Sequence, residues 1–179
     1  LDLESEQQAL LEIAKGKLTT DPDRHSGEGI FFSSRMFDDF AILSGSLYFT
    51  HSRDEDWLLE AYRERPIQGT AVLMEIDSDS DRTTKEVFDA FTSDFEDFGF
   101  TKTHVPVRLM VHEGDRLVSR SQARRLLSRV DRFAEVLLDF DEVPEVGQAF
   151  ADEIFRVFAR THPNVAIKWA NAEPLVLQM

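Results

Sequence analysis

Residues 134–140, Ala-Glu-Val-Leu-Leu-Asp-Phe, constrain the chain most. A short, almost unbroken apolar run of this kind is a strand buried on both faces, and such strands sit in the middle of sheets whose faces are covered by helices. The flanking segments supply the cover. Ser119 or Ser121 caps a helix running to residue 130, and a second helix spans residues 147–161 with Phe150, Ile154, Phe155 and Phe158 inward. His162-Pro163-Asn164 breaks that helix, residues 165–170 form a strand, and Asn171 opens a last helix with Pro174 in its first turn. Upstream, Val105, Val107, Leu109 and Val111 alternate, and Glu113-Gly114-Asp115 turns towards Leu117 and Val118, which predicts a hairpin. The order strand, strand, helix, strand, helix, strand, helix is α/β with right-handed crossovers.

The charge is uneven. Residues 1–100 hold 9 Lys/Arg and 23 Asp/Glu, whereas residues 101–179 hold 11 of each, so the whole net charge of -14 lies in the first part. Such a shift argues for two units and against a general nucleic-acid surface. The stretch Asp77-Ser-Asp-Ser-Asp-Arg82 has nothing apolar to bury and reads as the start of a linker. The expected organisation is therefore 1–77, a linker or strap at 78–102, and 103–179. In the strap, Val87, Phe88, Phe91, Phe95 and Phe98 fall near helical spacing. The absence of cysteine excludes disulfides and thiolate chemistry, and no secretory start or run of eighteen apolar residues is present, which assigns the chain to the cytoplasm and off the membrane. Opening without Met inside an amphipathic acidic pattern, it reads as a piece of a longer protein.

The first part reads as α+β. Ser5 caps a helix over residues 5–15, with Ala9, Leu10, Ile13 and Ala14 on one face, and Gly16 ends it. A polar, glycine-punctuated loop follows and runs into a helix over residues 29–41 that carries Phe31, Phe32, Met36, Phe37 and Phe40. Residues 42–50 alternate around a turn at Gly45, residues 57–62 are a weaker apolar run, and residues 69–76 alternate Val72, Met74 and Ile76, all read as strands. The loop can hold an anion. Gly27 and Gly29 permit close approach, the helix aims its first amides back at the loop, and Lys17, Thr19, Thr20, His25 and Ser26 suit phosphate oxygens. An ordinary Ser/Gly helix cap explains the same residues.

Three stretches of the second part, Val-Ser-Arg-Ser-Gln-Ala-Arg-Arg-Leu-Leu, Val-Leu-Leu-Asp-Phe-Asp-Glu-Val and Gly-Gln-Ala-Phe-Ala-Asp-Glu-Ile-Phe-Arg-Val-Phe, resemble the STAS-like family, relatives of the anti-sigma-factor antagonist domains. The resemblance implies a mixed sheet with helices and a turn, before the second helix, that docks a protein partner. In the antagonist domains that turn carries a phosphorylated Ser or Thr. Here Gly147, Gln148 and Ala149 occupy it, so no hydroxyl accepts phosphate and the expected role is docking alone.

Residues 1–77 resemble the C-terminal half of a GHKL-type ATPase domain, the fold of histidine kinases and anti-sigma kinases. Residues 25–37 resemble its second glycine box and helix, residues 45–49 the next strand, and residues 69–76 the closing strand of the α/β sandwich. The resemblance implies that Lys17, Thr19, Thr20, His25, Ser26, Gly27, Glu28, Gly29 and Ile30 form a phosphate and lid region. The Asn-bearing helix for Mg²⁺ and the Asp-x-Gly-x-Gly turn for adenine are not in the sequence, so ATP and Mg²⁺ are expected only with an upstream segment and no cofactor for this chain by itself.

Arg120, Arg124, Arg125, Arg129 and Arg132 form ridges that could meet phosphate or an acidic partner, or be neutralised by the acidic first unit. Asp152 and Glu153 read as carboxylates complementing a helix dipole. His25, His51, His104, His112 and His162 lack metal-ligand spacing, and no metal or catalytic residue is expected. The functional expectation is a regulatory protein coupling a GHKL-type nucleotide module to a STAS-like interaction domain. Alternatives are a non-enzymatic interaction or transcription-regulator module with an incomplete nucleotide fold, and an anti-sigma-type kinase in a longer form. Protein partners are expected, and nucleic acid is not.

Overall fold

Ser5 accepts a hydrogen bond from the Gln8 amide and starts helix α1, Glu6–Lys15, which ends where Gly16 takes a positive φ of 86°. Here and below the coordinates are those of a computed structural model, which describes residues 5–21, 23–52, 55–60, 67–92, 99–111 and 116–173. Leu10, Leu11 and Ala14 of α1 are buried. Helix α2, Gly29–Met36, buries Phe31 and Phe32.

The aromatic-rich segment does not stay helical to residue 41. Phe37 is extended, and Phe40, Ala41 and Ile42 belong to strand β1, Asp39–Gly45, in which all three are buried. The physical reason is tertiary: β1 is bonded on both sides, to β2 (Leu47–Ser52) and to β4 (Ile67–Glu75), so a full set of ladder bonds outweighs helix periodicity. The expected turn at Gly45 is present, with φ of 62°. Strand β3, Glu55–Glu60, completes an antiparallel sheet in the order β3-β2-β1-β4.

Asp77 to Arg82 is tied back to this sheet. Asp38 accepts hydrogen bonds from the Asp77 amide (2.9 Å), Ser80 Oγ (3.0 Å) and Arg82 Nε (3.3 Å), and Arg82 also donates to the Arg35 carbonyl (3.1 Å). Helix α3, Thr84–Ala90, follows, and its Phe88 stacks on Phe32 at 4.1 Å between ring centroids. The chain divides after it, into units of residues 1–90 and 91–179. Phe95 and Phe98 lie outside the described residues.

In the second unit, β5 (Lys102–Pro106), β6 (Glu135–Asp139) and β7 (Ala166–Ala170) form a sheet in the order β5-β6-β7 with both pairings parallel. The central run is therefore the central strand, but it is buried fully on one face only: Val136 and Leu138 are inaccessible, whereas Glu135, Leu137 and Asp139 on the other face are half-buried. The expected hairpin after residue 105 is not formed among the described residues. β5 stops at Pro106, which has no N–H to donate, and Val107–Met110 tightens into a 3-10 turn whose Val107 and Leu109 are buried. Leu117 instead makes an isolated parallel bridge with Val146. The described sheet is thus wholly parallel rather than mixed. The Glu113-Gly114-Asp115 turn and the last helix's Pro174 lie outside the described residues.

Helix α4, Arg120–Leu126, begins at Ser119, whose side chain accepts from the Gln122 amide while Gln122 reaches back to the Ser119 amide, a reciprocal capping box. It stops short of residue 130, where Val130–Arg132 forms a separate 3-10 turn after Arg129 at φ of 61°. The segment after β6 runs through α5 (Gln148–Asp152), a π-helical turn (Glu153–Phe158) and α6 (Ala159–Thr161). Phe150, Ile154 and Phe158 of that segment are buried, as the spacing predicts, whereas Phe155 is 39% exposed.

Candidate functional site

In the first unit, the loop from Lys17 to Ile30 spends several of its polar groups on itself. Thr19 Oγ1 accepts from the Asp21 amide at 3.1 Å, and the Arg24 and His25 amides both donate to the Asp21 carbonyl. Lys17 has a positive φ of 58°. Gly27, at φ of 74°, lies against the backbone of Leu18, and a Cβ there would sit 2.6 Å from two Leu18 atoms. This close approach between loop segments demands a glycine without any ligand. Gly29 has open space about its Cα. Thr20, His25, Ser26, Gly29 and Ile30 are exposed, and Lys17, Thr19, Gly27 and Glu28 half-buried. Glu28 makes no side-chain cap, so α2 begins uncapped.

The second unit brings its turn to a defined place. Gly147 donates its amide to the Leu117 carbonyl at 2.7 Å and precedes α5 directly. A Cβ on Gly147 would stand 2.8 Å from Val118 Cα and 3.0 Å from Val118 Cβ, so packing against Val118 requires glycine at this position although its φ of -84° does not. Gln148 is exposed, Gly147 and Ala149 are half-buried, and Val118 is 51% exposed. Gly147 thus adjoins an exposed apolar side chain that the sequence offered as a strand residue and not as part of this turn.

The arginine ridge and the acidic pair, read separately from sequence, meet each other. Arg120 donates to Asp152 (2.6 Å) and Glu153 (2.9 Å), Arg124 donates to Glu153 (2.7 Å), and Arg156 also binds Asp152. For Arg120 and Arg124, neutralisation thus comes from within the unit, because α4 and the segment after α5 lie side by side. The Arg124 and Arg120 N–H groups hold the Glu153 carboxyl below its ordinary value, against the opposing effect of desolvation. Arg156 and Arg120 do the same for Asp152.

Two further constellations were not found from sequence. In the first unit, Asp56 bridges Arg35 Nη2 (2.9 Å) and His51 Nδ1 (2.8 Å) with all three buried, and His51 Nε2 has no partner among the described residues. The Arg35 guanidinium also lies 3.8 Å above the Phe31 ring. In the second, Asp139 accepts from Asn171 Nδ2 (2.9 Å) and the Asp141 amide (3.0 Å), and pairs with His104 Nε2 (2.9 Å). Burial pushes the Asp139 carboxyl up, but those three partners together hold it below its ordinary value. Among the described residues, no group of His, Asp and Glu is placed to hold a metal, and no helix is long and apolar enough to cross a membrane.

No curated protein and no solved structure matches the chain. Nothing in these comparisons supports the resemblance of residues 1–77 to a GHKL-type ATPase. Residues 122–177, from α4 through β7 and including the turn at Gly147, match the family model of a STAS-like domain of unknown function (DUF4325).

Proposed function

We propose that the second unit is a protein-docking module of a regulatory assembly and that the partner seats on Val118, Gly147, Gln148 and Ala149. The observation that carries this reading is the Gly147 to Val118 packing: it fixes the turn at the start of α5 and leaves Val118 and Gln148 exposed beside it. No residue of the turn has a hydroxyl, so docking here does not wait on phosphorylation. The test is a photo-crosslinking side chain at Gln148 and, as control, at exposed Arg132, in cells of the source organism. A single defined protein adduct at 148, lost on Val118→Asp and absent at 132, supports the reading. The same adducts at both positions, or none at 148, reject it.

A second reading is favoured by the uncapped start of α2 beside exposed Thr20, His25 and Ser26. In it, the first unit is the phosphate-facing part of a GHKL-type nucleotide module, with Lys17 to Ile30 as lid, coupled to the docking unit. A bound nucleotide would bring a phosphoryl group to these residues. The chain's own part is limited to the phosphates, through the Lys17 ammonium, the His25 imidazole, hydroxyls and backbone amides, because the sequence has no adenine-reading turn. Titration of this chain with Mg-ATP is expected to give no heat. A sub-millimolar dissociation constant would mean that the residues present form a complete site.

A further inference from the structure

Strand β4 ends the first sheet, yet it has the composition of an inner strand. It pairs with β1 only among the described residues, so its second edge presents backbone N–H and C=O groups outward. From residue 67 to residue 74 it contains neither a charged residue nor proline, the groups that normally blunt such an edge. Val72, Leu73, Met74 and Ile76 are 50%, 57%, 50% and 61% exposed.

The register shows which face is left open. Met74 lies opposite Phe40 and Val72 opposite Ile42, and those two lie opposite His51 and Phe49 on the next strand. Side chains directly opposite one another share a face. Val72 and Met74 therefore continue the row of Phe40, Ile42, Phe49 and His51, all buried, and exposed Ile76 follows just past the strand end. Leu73, opposite Ala41, is exposed on the other face. Val72 and Met74 on one face, Leu73 on the other and Ile76 just beyond leave this free edge apolar, a feature of the kind that marks a binding surface.

Charge identifies the occupant. At the carboxyl end of β4, Glu75 stands opposite Asp39, both exposed, and exposed Asp77, Asp79 and Asp81 follow. Arg82, the next cation along the chain, is held by Asp38. Residues 1–100 carry the entire net charge of -14, so a second copy of this chain would bring the same excess to the contact. We infer that β4 receives an extended, net-basic segment of a partner protein, with apolar residues at alternate positions. The segment adds to the sheet as its next strand, lays apolar side chains over Val72 and Met74, and sets its cations against Glu75, Asp77 and Asp79.

The probe is a capped peptide of alternating valine and lysine, compared with its glutamate-for-lysine counterpart, each added to the full chain. Binding is read by fluorescence anisotropy, and amide hydrogen exchange is followed at residues 70–76. The lysine peptide should slow exchange there about tenfold or more, and should bind at least about tenfold more weakly in molar salt, because the acidic contacts are screened. The double substitution Val72→Lys and Met74→Lys, at positions already half exposed, should leave circular dichroism unchanged and abolish both effects. Equal protection by the glutamate peptide, protection that grows with protein concentration in the absence of peptide, or no protection by the lysine peptide would each overturn the inference.

Discussion

Both units have an apolar core, and they differ in how they hold charge against it. The first buries charge: Lys15 and Glu12 pair at 2.6 Å with both side chains all but inaccessible, and Asp56 is shared between Arg35 and His51. The second, around Val105, Leu126, Val136, Leu138, Phe150 and Ile154, buries the Glu153 carboxylate but pairs it with the exposed guanidinium groups of Arg120 and Arg124 along the helices. A buried ion is stabilising only while its partner stays, whereas an apolar core degrades in proportion to what is removed. The first unit should therefore fail abruptly at single polar positions, and the second gradually.

The largest effect is expected at Asp56. Asp56→Ala leaves a buried guanidinium and a buried imidazole without their shared carboxylate, which costs about 3–5 kcal/mol in urea unfolding of the first unit. Restoring little with Asp56→Asn would sharpen the point, since the amide keeps the shape and loses the charge. Next, Leu138→Ala in the central strand should cost the second unit about 2–5 kcal/mol through lost burial and the cavity left behind. Gly147→Ala should cost about 1–3 kcal/mol, because the added Cβ must displace the Val118 backbone. If that variant is as stable as the parent, the close approach at the docking turn is not required.

The smallest effect is in pH. The Glu153 carboxyl has a lower folded than unfolded pKa, so its contribution is complete above the ordinary value of 4.5 and is lost as pH falls through the lower folded value. Urea midpoints of the second unit should fall over that acid window, and Arg124→Ala should flatten the fall. An unchanged pH profile in Arg124→Ala would show that the pair is ornamental to stability.

Much of this was legible in the sequence where local rules decide the outcome. Ser5 and Ser119 cap their helices, Gly45 turns its hairpin, and the apolar run at 134–140 is the central parallel strand. Reading failed where distant pairing overrides a local period. Phe40 fits the aromatic spacing of α2 but is claimed by β1, and Val107 and Leu109 keep the alternation of a strand while lying in a 3-10 turn after Pro106. His51 was within reach, since it is two residues beyond Phe49 and four beyond Leu47 on the inward side of β2. Its partner was not, because only the register of β2 with β3 brings Asp56 opposite it. The same holds for the docking turn: Gly147 was named for its place in a family pattern, but Val118 became part of the surface only through a contact 29 positions away in sequence.

Residue-resolved amide exchange on the Asp56→Ala variant of this chain tests the contrast most directly. Protection should collapse in β1, β2 and β3 while β5, β6 and β7 keep theirs, because charge removed from one core is not charge removed from the other. Equal loss of protection in β6, or undiminished protection in β2, would contradict the account.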